Sequence, residues 1–218
     1  MKQIILAALL VATSALCYAQ VKIAVFGGPQ ITSAKYTAES KKQETTNKYG
    51  FQLGTTAKVP FENRLYFSPT VFYSLKGYKV KFNQPSYPPD SLAIDNNTTI
   101  HTFEVAPLLQ YDFNMQSSHF FVKLGPSIDI HLSGKEKFNR SNNTTIDRKM
   151  VFSFTKYGRF GANILLQFGY ETNGLFIAGQ YTHGIGSINN ADFGPRIWHR
   201  AYGISFGKYL GKKQIAFL

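Results

Sequence analysis

His131 and Ser133 stand two residues apart in an alternating segment, a spacing that sets an imidazole base and a hydroxyl on one face of a strand, as a surface hydrolase requires. Such a pair needs a third, orienting acid, and the register read below turns His131 inward, so no catalytic residue is assigned and the chain is read as non-enzymatic. His183 and His199 flank Asp192, but their spacing matches no metal-ligand set, and no metal or cofactor is expected. Gly184-Ile185-Gly186-Ser187 lacks the Lys of a phosphate loop. Charge pairing inside the fold is the stronger signal. Glu104, Asp112, Lys123, Asp129 and Arg159 fall on inward-facing positions, and two carboxylates buried side by side require a cation. We expect Arg159 to join Glu104 and Asp129 in a lumen network, Asp112 to meet Lys123 near a hairpin end, and Arg159→Leu to weaken the fold. A second basic set, Lys79, Lys81, Lys135, Lys137, Arg140, Arg148 and Lys149, falls in polar connections that read as external loops.

The elements that position these residues are strands. The 218-residue chain is 44% apolar and 15% aromatic, with 18 Gly and 24 Lys plus Arg against 12 Asp plus Glu. Aromatics suit pleated surfaces and Gly punctuates strands, so a helical bundle is disfavoured. Lys2 followed by an apolar run from Ile4 to Leu16 and a small-residue site before Gln20 reads as a signal peptide over residues 1–19, leaving a mature domain over 20–218. Removing that segment removes Cys17, the one cysteine, so stability must come from packing or closure rather than disulfides. No later apolar run is long enough for a membrane helix, so any membrane crossing must use strands.

Eight alternating segments of about ten residues run from Val21 to Gly28, Gly50 to Val59, Arg64 to Leu75, His101 to Phe113, Phe120 to Leu132, Tyr157 to Tyr170, Leu175 to His183 and Ala201 to Leu210. In the fourth, Phe103, Val105, Pro107, Leu109, Tyr111 and Phe113 oppose Glu104, Ala106, Leu108, Gln110 and Asp112. A soluble sandwich alternates too; the links discriminate. Long polar links alternate with the short turns Pro60 to Asn63, Asn114 to His119 and Glu171 to Gly174. That order predicts an all-β, eight-stranded, antiparallel up-and-down transmembrane β-barrel with short periplasmic turns and long external loops. Its lumen would carry Lys22, Gln52, Lys58, Asn163, Gln167 and Gln180 beside the network residues, filling a bore that eight strands leave just wide enough for side chains. The string Asn-Asn-Thr-Thr-Ile occurs at Asn96 to Ile100 and again at Asn142 to Ile146, in two of the long links, and is read as similarity between polar loops.

Three segments carry a family resemblance. Leu65-Tyr66-Phe67-Ser68-Pro69-Thr70-Val71-Phe72-Tyr73-Ser74-Leu75-Lys76-Gly77, Phe103-Glu104-Val105-Ala106-Pro107-Leu108-Leu109-Gln110-Tyr111 and Phe120-Phe121-Val122-Lys123-Leu124-Gly125-Pro126 resemble the Ser-Pro and Tyr-Ser-x-Lys-Gly strand, the Glu-and-Pro strand and the Gly-Pro strand of the PorT-like outer-membrane β-barrel family of Gram-negative bacteria. The resemblance implies an eight-stranded outer-membrane barrel over the mature chain. Members include porin-like and structural barrels, and the eponymous PorT is tied to a protein secretion machinery. The expected function is a plugged polar barrel, structural or partner-binding through basic loops; a narrow solute or ion porin and a PorT-type secretion component are the alternatives. Outer-membrane lipid, lipopolysaccharide phosphates and an envelope protein are the expected partners, and nucleic acid is not.

Overall fold

Side chains that alternate in polarity along extended backbone build strands, and here each of the long strands of the ring finds an antiparallel neighbour on both sides. The computed structural model describes residues 21–83, 90–192 and 194–210. The segment read as a signal peptide lies outside the described residues, as do residues 84–89, within the second long polar link. Among the described residues eleven strands form: β1 (Lys22–Ala38), β2 (Lys41–Lys42), β3 (Glu44–Thr46), β4 (Lys48–Glu62), β5 (Leu65–Lys81), β6 (Ala93–Asp112), β7 (Ser118–Arg140), β8 (Thr145–Lys149), β9 (Phe160–Thr172), β10 (Leu175–Gly184) and β11 (Arg196–Leu210). Eight of them, β1, β4, β5, β6, β7, β9, β10 and β11, pair in chain order, and β11 returns to β1 from Ile23↔Leu210 to Thr37↔Arg196. Closure leaves no edge in the ring, which lipid demands because nothing there can satisfy a free backbone N–H. The fold is the expected all-β, eight-stranded, up-and-down barrel.

At one end the links are short. Asn63 (φ 48°) turns β4 into β5, and Asn173 (φ 49°) with Gly174 (φ 79°) turns β9 into β10. Consecutive left-handed residues are what a two-residue hairpin turn needs. At the other end the strands rise well past the expected boundaries: β7 continues to Arg140 and β6 begins at Ala93, so most of the two long polar links is strand. The Asn-Asn-Thr-Thr-Ile strings are not equivalent, since the first lies wholly inside β6 while the second forms a turn and the start of β8.

Polarity inverts along the same strands. In the half carrying the short turns, Leu109, Leu124, Phe168 and Phe206 point outward and are each more than half exposed, while Glu104, Gln110, Lys123 and Asp129 are at most 1% exposed. Fully burying a Leu or Phe gains roughly 1.5–3 kcal/mol. More than a dozen such side chains left about half in water forgo on the order of 10 kcal/mol, as much as the whole stability of a typical domain, so this face belongs against lipid and the soluble sandwich is excluded. Above this band the pattern reverts to that of a water-soluble protein, with Tyr36, Tyr78, Ile100, Met150, Ile188 and Ile197 packed inside and lysines outside.

Candidate functional site

Four layers cross the bore. Nearest the short turns, Lys58 Nζ on β4 lies 2.6 Å from Asp112 Oδ2 and 3.0 Å from Glu171 Oε2, with His119 Nε2 3.1 Å from the same Asp112 oxygen. The Lys58 ammonium also sits 4.6 Å from the centre of the Tyr66 ring. These groups floor a vestibule of about 410 Å³ that Lys22, Met115 and Gln116 help to line. Above it comes an apolar layer of Phe26, Phe72, Leu108, Phe121, Leu165 and Phe176, where Phe121 and Phe176 meet edge to face at 6.0 Å.

The third layer is ionic. Lys76 Nζ on β5 lies 2.7 Å from Glu104 Oε2 on β6 and 2.8 Å from Asp129 Oδ1 on β7, and all three side chains are at most 2% exposed. Ser127 Oγ donates to the other Glu104 oxygen at 2.6 Å, and His131 Nδ1 is held 2.8 Å from the Gly158 carbonyl. The ladder places Glu104 directly opposite Asp129, so their shared cation is a geometric necessity. The fourth layer is the aromatic and aliphatic cap around Tyr36 and Tyr78, closed from above by Phe152 and Tyr157 of the link before β9. Tyr157 donates its hydroxyl to Glu136 Oε1 at 2.6 Å, and burial pushes the Tyr157 phenol well above its ordinary range.

The sequence-derived network is corrected in two places. The cation between Glu104 and Asp129 is Lys76 and not Arg159, because β9 leaves its ladder with β7 at Phe160↔Ile130 and inward alternation stops one residue short. Arg159 is exposed, with its guanidinium 6.0 Å from the Phe152 ring. Asp112 takes Lys58 rather than Lys123, which lies opposite Gln110, donates to Thr56 Oγ1 at 3.3 Å and sits over Phe121 at 5.5 Å. Of the other lumen residues, Gln52, Lys58, Asn163, Gln167 and Gln180 are buried; Lys22 sits at the mouth and is exposed. The lumen is plugged, but by alternating ionic and apolar layers rather than by a uniformly polar filling. Lys76, His119 and Glu171 are the members that sequence reasoning missed. Lys76 continues the inward parity of Ser68, Thr70, Phe72 and Ser74, one residue past the expected strand end. The segments carrying the family resemblance therefore meet physically, since Lys76 belongs to the first and Glu104 to the second.

The cations expected in external loops also move from loop to strand. Lys79 and Lys81 lie on β5, Lys135, Lys137 and Arg140 on β7, and Arg148 and Lys149 on β8, because outside the bilayer the ladders simply continue. A bulge decides which way they face. His101 pairs with Ser133 but Thr102 pairs with His131, so Leu132 is extra, and inward positions on β7 change from odd to even. Lys135 and Lys137 are thereby turned outward while Glu136 and Phe138 turn in. The same bulge separates His131, buried, from Ser133, exposed, and breaks the one-face pair considered for hydrolysis. Among the described residues no group of His, Cys, Asp and Glu is arranged to hold a metal.

On the outer face Lys48 crosses β5 at Gly77, where a Cβ would lie 2.8 Å from the Lys48 Cδ. Its ammonium then reaches Asn97 Oδ1 at 2.7 Å and Thr99 Oγ1 at 2.5 Å on β6. Beside it opens a groove of about 380 Å³ lined by Lys135, Lys137 and Lys149. Higher on the wall, Arg140 clasps Asp90 through Nε at 2.8 Å, and those hydrogen bonds hold the Asp90 carboxyl below its ordinary value.

Comparison with known proteins gives one family. A family model described as outer membrane protein beta-barrel domain matches residues 17–190. No curated protein sequence matches the chain. Among solved structures, similarity is found to Ail, the attachment invasion locus protein of Yersinia pestis in complex with the heparin analogue sucrose octasulfate, at TM-score 0.43 and 10% identity over 87% of this chain and 99% of that one. Neisserial surface protein A follows at TM-score 0.40 and 13% identity over 86% and 99%. The outer membrane protein OprG of Pseudomonas aeruginosa gives TM-score 0.39 and 16% identity over 88% and 96%.

Proposed function

The chain belongs to the outer membrane protein beta-barrel domain family, and from that premise we propose that it acts through its walls and external extension, as a closed structural and partner-binding barrel, and not through its bore. The protein is located in the outer membrane. The observation that carries the proposal is the stack of layers across the lumen. An ion path needs a continuous polar or wetted route, and here the Phe26, Phe72, Phe121 and Phe176 layer lies on one side of the Lys76, Glu104 and Asp129 ions and the Tyr36 and Tyr78 cap on the other. Ions held between two apolar layers are structural counter-charges, not stepping stones. The reading is non-enzymatic, supported by the opposite orientations of His131 and Ser133.

Planar-bilayer recording on heat-modifiable, folded protein tests this. No unitary conductance above the lipid baseline is expected, and reproducible steps would overturn the closed lumen in favour of a narrow porin. A place in a PorT-type secretion apparatus is the second reading, favoured by the three sequence segments, two of which meet at Lys76 and Glu104. Loss of surface-protein export on deletion would support it, and normal export would count against it.

A further inference from the structure

We propose that the outer face of β5 to β8, immediately above the lipid-facing band, binds the phosphate groups of outer-leaflet lipopolysaccharide, with Lys48, Lys79, Lys135, Lys137 and Lys149 as its cations. This deepens the reading of a barrel that works through its external wall and rests on it.

The ladders set the lysines in two rows. Gly77, Thr99, Lys135 and Lys149 stand side by side across the four strands, with the Lys48 side chain lying over Gly77, and the next row up holds Lys79, Asn97, Lys137 and Asp147. Like charges set side by side on neighbouring strands are destabilising unless something compensates them. Asp147 is the sole carboxylate in these rows, and none of the five lysines forms an ion pair among the described residues. Around the 380 Å³ groove the five cations Lys48, Lys135, Lys137, Arg148 and Lys149 outnumber the two carboxylates Glu136 and Asp147, so the wall carries a net positive field. Lys48 has its donors engaged with β6 and supplies fixed charge, while Lys135 and Lys149 keep theirs for a ligand.

Position selects the anion. One step below the lower row stands His101; Tyr73, one step lower still, is joined to it at 2.6 Å and lies 5.6 Å from Phe51, an aromatic girdle of the kind that marks the membrane interface. Phe103 lies level with Tyr73, and below them come Val71, Val105 and Ile128 of the lipid-facing band. Two residues of strand advance about 7 Å. The lower row is therefore at headgroup height, on the side wall beside the bilayer and not on the top rim, where phosphates carried by outer-leaflet glycolipid stand and where charge-assisted hydrogen bonds are strong. The bulge at Leu132 has a purpose in this account, because without it Lys135 and Lys137 would point into the bore.

The test is titration of the full protein in zwitterionic micelles with purified lipopolysaccharide, with the same material after phosphatase treatment, and with inorganic phosphate. Wild-type protein should bind the phosphorylated form at least about tenfold more tightly than the dephosphorylated form, and Lys135→Gln/Lys137→Gln/Lys149→Gln should abolish that preference while keeping the heat-dependent gel shift of a folded barrel. Asp147→Asn, which removes the carboxylate of the upper row, should tighten binding. Equal affinity of wild type and the triple variant, equal affinity for the two lipopolysaccharide forms, or saturation by inorganic phosphate alone at the same concentration would each overturn the site; so would complete displacement of lipopolysaccharide by a soluble sulfated glycan. Loss of the heat shift in wild-type protein would instead sink the barrel reading beneath it.

Discussion

Lys76→Met leaves Glu104 and Asp129 facing one another across the β6–β7 ladder with no cation, and breaking a buried pair in this way costs about 3–5 kcal/mol. Urea unfolding in liposomes should report that loss, and Lys76→Met/Glu104→Gln/Asp129→Asn, which removes all three charges, should recover most of it. Arg159→Leu is the control: its exposed guanidinium touches no carboxylate among the described residues, so its midpoint should move by less than about 0.5 kcal/mol. Asp90 behaves differently because its partner is at the surface. A carboxylate whose folded-state pKa is depressed contributes stability that is present above the unfolded value, near 3.9, and lost as pH falls through the lower folded value. Carboxyl NMR should find Asp90 titrating below the ordinary range in wild type and returning to it in Arg140→Gln, and an unchanged titration would separate the clasp from the shift. Glu104 and Asp129 were legible in the sequence, since hairpin folding about a short turn places them opposite each other. Their cation was not, because the alternation that would have delivered Lys76 was cut at Leu75, where outward apolar residues give way to Gly77 and Lys79.

Strands are legible where a membrane selects one face, and all eight barrel strands carry period two through the lipid-facing band. Above it neither side meets lipid, outward positions turn polar, and the signal fades into what reads as loop; β5, β6 and β7 consequently extend several residues past their expected ends. The bulge at Leu132 hides the register further, because the extra residue that shifts parity is an ordinary leucine. Deleting Leu132 should remove the bulge and leave an uninterrupted alternation in which Glu136 and Phe138 still face inward and Lys135 and Lys137 outward. The apolar cap of the external extension and the closed lipid-facing band should then both persist. Limited trypsin digestion is expected to find the deletion variant as resistant as wild type between residues 135 and 149; rapid cleavage there would show that Leu132 is not the extra residue that sets the register.

At the scale of the whole molecule, one set of strands carries two opposite solvation patterns. Apolar-out and charge-in below becomes charge-out and apolar-in above, and the crossover at Tyr73 and His101 fixes how deep the barrel sits. Depth then fixes which cations reach the headgroups, so bilayer embedding, sealed lumen and lysine wall depend on one another. The most direct test of that inverted order is to place a fluorophore singly at each of positions 103 to 110 of β6 and measure quenching by brominated acyl chains. Strong quenching at 103, 105, 107 and 109 with little at 104, 106, 108 and 110 is the predicted result. Uniform quenching, or quenching at the even positions, would contradict the barrel as described.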